Sequence, residues 1–152
     1  MYERSIHWFR RDLRLSDNHS LYEACANSKQ VIPVFVFDTN ILGKLKFKDD
    51  KRVNFIFETL VALKSELVEL GSDLFILHGD PVHEIPKIAE ELMVDCVFSN
   101  KDYEPYAQKR DKNVKNHLEK TNINFLQFKD QVIFEAAEIL NVSHEPYKVF
   151  TP

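Results

Sequence analysis

At 152 residues with 44% apolar side chains, the chain has material for one domain built around one core. No stretch approaches the ~20 apolar residues that span a bilayer and nothing in residues 1–30 resembles a signal peptide, so a soluble, cytoplasmic domain is expected. A net charge of −4 argues against a domain that grips nucleic acid alone, because neutralising a phosphate backbone takes an excess of Lys and Arg on one face.

Hydrophobic periodicity marks alternating elements. Residues 5–9 read as a short apolar strand, followed by a helix over 18–27 with Asp17 as its N-cap. Residues 31–37 form a β-branched and aromatic run that suits a strand buried on both faces, although Pro33 removes a ladder donor and suggests an edge or bulge. Asp38 ends it, and residues 39–50 read as a polar loop. Val53, Ile56, Phe57, Leu60, Leu63, Leu67 and Leu70 then keep helical spacing up to Gly71, a natural C-terminal stop. Residues 73–78 predict a third buried strand, and Asp80-Pro81 supplies an N-cap with proline at the first helical position. Val82, Ile85, Ile88, Ala89 and Leu92 form the inner face of that helix. A strand over 95–99, a helix over 106–120 and a strand over 123–128 follow. Cys25 falls on the first helix and Cys96 on the fourth strand; without disulfide or zinc-site spacing, both read as reduced core residues.

Helices between successive strands imply right-handed crossovers, hence an α/β doubly wound, Rossmann-like domain: five parallel strands in the order 3-2-1-4-5 with helices on both faces. Residues 1–128 form that domain, and residues 129–152, apolar but aperiodic, read as the start of a linker. In such sheets ligands bind outside the carboxyl ends of the strands, where the strand order reverses. Here that crevice lies between the loops over 10–17 and 100–106.

The chemistry available to the crevice is restricted. Gly43, Gly71 and Gly79 are scattered, so neither a dinucleotide fingerprint nor a P-loop is present. No nucleophile elbow occurs, and His78 and His83 lack the carboxylates that would complete a zinc site. What remains is Arg10, Arg11 and Arg14 facing the loop Asn100-Lys101-Asp102-Tyr103-Glu104-Pro105-Tyr106. Two readings stand side by side. The arginines brace the loops by pairing with Asp12, Asp38, Asp102 or Glu104, or they line a pocket for a planar, hydrogen-bonding ligand with Phe35, Phe37, Tyr103 and Tyr106 as walls.

WFRRDLRLSDN at residues 8–18, Phe37-Asp38, Asp102-x-Glu104-Pro105-Tyr106 followed by Arg110-Asp111, and YKVFTP at residues 147–152 together resemble the amino-terminal domain of the DNA photolyase and cryptochrome family. The resemblance covers essentially the whole chain. It implies a flavoprotein in which this domain holds a light-harvesting chromophore while a helical domain binds FAD and UV-damaged DNA, and repair proceeds by electron transfer from photoexcited reduced flavin to a flipped pyrimidine dimer. Carried over residue by residue, the chromophore contacts are Phe35, Val36 and Asp38 after strand two, Arg52 at the start of the long helix, and Asp102 and Glu104 in the fourth loop. Arg10 and Arg11 become crevice and domain-interface residues. The alternative for Arg52 is a solvated cation in the charge run 46–52. Folate-using relatives carry an Asn-Glu pair where this chain has Tyr106-Ala107, so the resemblance favours a deazaflavin or flavin over methenyltetrahydrofolate.

The family also contains signalling cryptochromes, and a light-independent nucleotide- or flavin-binding α/β module is the distant alternative. The chain is expected to be a monomer without repair activity of its own, with its own helical domain as partner. Residues 132–150 are expected to be its least ordered part or to be covered by a neighbour.

Overall fold

Each apolar run becomes a strand and each 3.6-residue pattern a helix in the computed structural model, which describes residues 1–47, 49–135 and 138–145. In chain order these are β1 (Tyr2–Phe9), α1 (His19–Asn27), β2 (Ser28–Asp38), α2 (Thr39–Leu42), α3 (Lys51–Glu69), β3 (Phe75–Gly79), α4 (Pro81–Glu91), β4 (Cys96–Asn100), α5 (Pro105–Lys120) and β5 (Asn124–Phe128). The strands form one five-stranded sheet, β3-β2-β1-β4-β5, parallel throughout, which is the order expected from the sequence.

Alternation along the strands sorts the core into two faces. Ile6, Trp8, Val34, Val36 and Val97 meet Ile85 and Ala89 of α4 and Val114 and Leu118 of α5. On the other face Phe9 and Phe35 lie against Leu60, Leu63 and Leu67 of α3, while Cys96 and Phe98 pack on Ala24 of α1. No helix among the described residues is long and apolar enough to cross a membrane.

Five local readings need correction. Asn18, not Asp17, caps α1, its side chain accepting the Leu21 N–H. Asp17 instead takes a left-handed φ of 51°, a conformation that Asp tolerates better than most residues, to turn the chain into the cap. The 39–50 stretch is not loop throughout, because Asp38 accepts the Asn40 N–H and starts the short α2. β3 is an edge strand, not a buried one: Phe75 is 43% and Ile76 42% exposed, since β2 covers one side and, among the described residues, nothing pairs with the other. The apolar spacing of α3 is wider than its buried stripe, and Phe57 and Leu70 face solvent. Cys25 is exposed on the outer side of α1, whereas Cys96 is buried as expected. The Tyr147–Pro152 motif lies outside the described residues.

Two prolines show how the register absorbs a missing donor. The β2–β3 ladder begins at Val34–Phe75, leaving Pro33 just beyond its end while it pairs with His7 on the β1 side. Inside α4, Pro86 cannot donate to the carbonyl four residues earlier. His117 of α5 fills the gap, its Nδ1–H donating to the Val82 carbonyl at 3.0 Å. Tautomer and ring orientation follow from that contact, and the ring stacks on His83 at 5.9 Å.

Candidate functional site

At the carboxyl ends of β1 and β4 the loops are joined by a buried polar cluster. The Asp12 carboxylate accepts the Arg10 N–H at 2.8 Å and Asn100 Nδ2 at 2.6 Å. Asn100 Oδ1 in turn accepts the Ser20 N–H at 2.9 Å, and Asn18 Oδ1 accepts Asn100 Nδ2 at 2.8 Å. Asp12, Asn18, Ser20 and Asn100 are all buried, so each group finds its partner inside the protein. Asp12 and Asn18 of the RRDLRLSDN stretch therefore fix the spacing of the crevice loops, with their polar atoms engaged inside the protein. Beneath them His7, fully buried, shares a 2.7 Å hydrogen bond with Ser20 Oγ. Burial pushes its imidazole pKa down to about 4, against a weaker opposing pull from Asp12.

A second buried cluster lies toward α5. Asp111 receives Arg10 Nη1 at 2.5 Å, Arg110 Nε at 2.9 Å and Gln127 Nε2 at 2.8 Å. The guanidinium carbons of Arg10 and Arg110 each stand 5.0 Å from the Trp8 ring centroid, a cation–π arrangement. Burial lowers the Arg10 pKa, and Asp111 opposes that shift. Asp38 joins from β2: it accepts the Tyr106 hydroxyl at 2.7 Å and lies 3.9 Å from Arg110 Nη1. Burial, with Asp38 as the acceptor, pushes the Tyr106 phenol up to about 12.

Above both clusters is an open rim. Arg11 Nη2 meets Glu104 Oε1 at 2.7 Å and Arg11 Nε lies 3.5 Å from Asp102 Oδ2. Arg11 and Glu104 side chains are 56% and 60% exposed, so their remaining hydrogen-bonding capacity is open to a ligand, whereas Asp102 is mostly covered. The Glu104 contact raises the Arg11 pKa.

Of the residues nominated from the sequence, the structure thus brings Arg11, Asp102 and Glu104 together at the rim. Arg10 and Asp38 sit below it, linked through Arg110 and Asp111. Phe35 and Val36 are core residues on opposite faces of β2, packed under α3 and against the α4/α5 layer. Arg52 folds back onto its own N-cap, Nη2 to Asp50 at 2.6 Å, and joins none of the others. Tyr106, expected as a pocket wall, instead donates its hydroxyl to Asp38, and Arg110, Asp111 and Gln127 were missed as site residues. A signal for two of them was present: Ala107, Arg110, Asp111, Val114 and Leu118 share the inward face of α5, where a charged pair needs a partner. A groove of about 830 Å³ runs between α1 and α3, lined by Leu21, Tyr22, Pro33, Leu67 and Leu70 and bordered by Asp17 and Asn18 of the β1 loop and by Asp130.

A doubly wound α/β domain with an arginine–carboxylate rim at its topological switch point is the class of protein that this fold and site define. Comparison narrows it: the family profile described as DNA photolyase matches residues 5–152, and the chain belongs to the DNA photolyase family. A deoxyribodipyrimidine photo-lyase of Synechococcus sp. is 39% identical over 97% of this chain and 30% of its own length. A bacterial class III photolyase from Agrobacterium tumefaciens superposes with a TM-score of 0.85 at 29% identity, covering 99% of this chain and 30% of that one. An archaeal photolyase from Sulfolobus tokodaii, described with two FAD molecules and an implied novel light-harvesting cofactor, gives 0.79 at 31% identity over 91% and 32%. Cryptochromes match as well. The chain spans about a third of the length of these relatives.

Proposed function

We propose that the full-length protein is a deoxyribodipyrimidine photolyase, splitting UV-induced pyrimidine dimers in DNA with blue light, and that this domain holds its light-harvesting chromophore at the rim. The observation that carries the reading is the exposed Arg11–Glu104 pair beside Asp102, open at the switch point of a domain whose relatives are named photo-lyases. Carboxylates and a guanidinium on one edge suit a planar heterocycle that presents both donors and acceptors, which is the hydrogen-bonding character of a deazaflavin or flavin. Arg11 donates to acceptor atoms of such a ring, Glu104 accepts from its ring or ribityl donors, and the buried Asp12 and Asp111 clusters hold both loops still. The chromophore, when bound, supplies light absorption and passes excitation onward. FAD and DNA belong to a helical domain elsewhere in the protein, in keeping with the net charge of −4 and the missing phosphate cradle here. The protein is a cytoplasmic monomer in this reading. Cryptochromes among the relatives support a second reading, a photoreceptor without repair.

The experiment irradiates a dimer-containing oligonucleotide under blue light with reduced FAD. The full-length protein repairs it, and the 152-residue chain does not rise above a no-protein control. A full-length protein that binds FAD without repairing the dimer favours the photoreceptor.

A further inference from the structure

The segment that follows β5 returns to the rim. Asp130 pairs with Arg14 at 2.8 Å, and a few residues on the Glu135 carboxylate takes Lys101 Nζ at 2.8 and 2.9 Å and the Tyr103 hydroxyl at 2.9 Å. Lys101 and Tyr103 flank Asp102 in sequence. Along the loop from Lys101 to Glu104 alternate side chains take partners on opposite sides. Lys101 and Tyr103 reach toward Glu135, while Asp102 and Glu104 reach toward Arg11.

We propose that Glu135 is a positioning residue for the rim, holding the loop from behind so that Asp102 and Glu104 present their carboxylates to Arg11 and to a bound chromophore. This rests on the chromophore reading of the rim. The loop has other attachments, but they leave this freedom open. The Lys101 N–H donates to the Phe128 carbonyl at 2.7 Å and Gln108 Nε2 to the Tyr103 carbonyl at 3.0 Å, which fix the two ends of the loop, and the Glu104 N–H reaches Asp102 Oδ1 at 3.4 Å, a long contact within the loop itself. Among the described residues, only Glu135 engages both rearward side chains at once. The contact has electrostatic weight on both partners: Lys101 and Tyr103 hold the Glu135 pKa below its ordinary value, and burial together with Glu135 pushes the Tyr103 phenol up to about 12. Because Glu135 belongs to the segment after β5, the path of that segment is tied to the geometry of the chromophore rim, and a shift of one moves the other.

The test uses the 152-residue chain with 5-deazariboflavin as the probe and two readouts. In Glu135→Ala, amide exchange at residues 101–104 accelerates about tenfold while the α4 and α5 amides keep their rates, a local opening. The same substitution weakens 5-deazariboflavin roughly fivefold, of the size expected for loosening a hydrogen bond to a charged group, and has no further effect once Glu104→Ala has removed the group being positioned. Unchanged exchange at residues 101–104 overturns the proposal, as does an equal loss of affinity in both backgrounds. Failure of the unmutated chain to take up 5-deazariboflavin contradicts the chromophore reading alone, and accelerated exchange in that sample still supports Glu135 as the anchor of the loop.

Discussion

Replacing Asp111 with alanine tests whether the rim stands on a buried ionic cluster. Asp111 is 5% exposed, and its two oxygens serve Arg10, Arg110 and Gln127. Truncation leaves two guanidinium groups buried against Trp8, with Asp38 at 3.9 Å from Arg110 as the nearest remaining acidic group. Removing one partner from a buried pair costs about 3–5 kcal/mol, because the uncompensated charge stays behind. For a chain of this length that corresponds to a Tm roughly 10–15 °C lower. Trp8 is the single tryptophan and lies 5.0 Å from both guanidinium carbons, so its fluorescence reports the site and the global transition in one urea titration. Asp111→Asn, which keeps the shape and one acceptor oxygen, falls between the alanine variant and the parent. A loss below about 1 kcal/mol for Asp111→Ala, the range of a surface ion pair, refutes the reasoning.

His7 gives a pH dependence of definite sign. Its folded pKa of about 4 lies below the unfolded value near 6.5, so the unfolded chain takes up a proton first. Stability is complete above pH ~6.5 and falls by roughly 3 kcal/mol as the pH drops to ~4, then levels. Denaturation of His7→Gln across that range shows a flatter profile than the parent, and parallel profiles contradict the assignment. His117→Ala exposes the gap that Pro86 leaves in α4 and costs about 1 kcal/mol, whereas in a Pro86→Ala background, where residue 86 can donate to the Val82 carbonyl, the cost vanishes. Equal costs in the two backgrounds refute the compensation.

The architecture was legible because two periodicities leave separate marks. Strand order followed from parallel crossovers, and the cap at Asp80 lies where a short polar side chain precedes apolar spacing. What escaped was information that no element carries about itself. Leu74-Phe75-Ile76-Leu77 has the composition of a central strand, and only the sheet's ending there makes Phe75 and Ile76 exposed. Asp17 and Asn18 are both competent caps, and the choice falls to backbone conformation. At the site, charge complementarity between neighbouring loops was enough to anticipate Arg11 with Asp102 and Glu104. Arg10 with Asp111 spans 101 positions and depends on which side of β1 the side chain leaves, a geometric fact settled by packing. The arginines divide by depth: Arg10 is buried in the bracing cluster, and Arg11 stands at the open rim, paired with Glu104.

Competition between chromophores on the full-length protein tests the central claim most directly. Reconstitution in an equimolar mixture of a deazaflavin and methenyltetrahydrofolate is followed by absorbance of the washed protein, with and without Glu104→Ala. The account predicts that the deazaflavin is retained and that Glu104→Ala weakens it about tenfold, the loss of one charged hydrogen bond. Retention of the folate instead, with binding unchanged in Glu104→Ala, would contradict it.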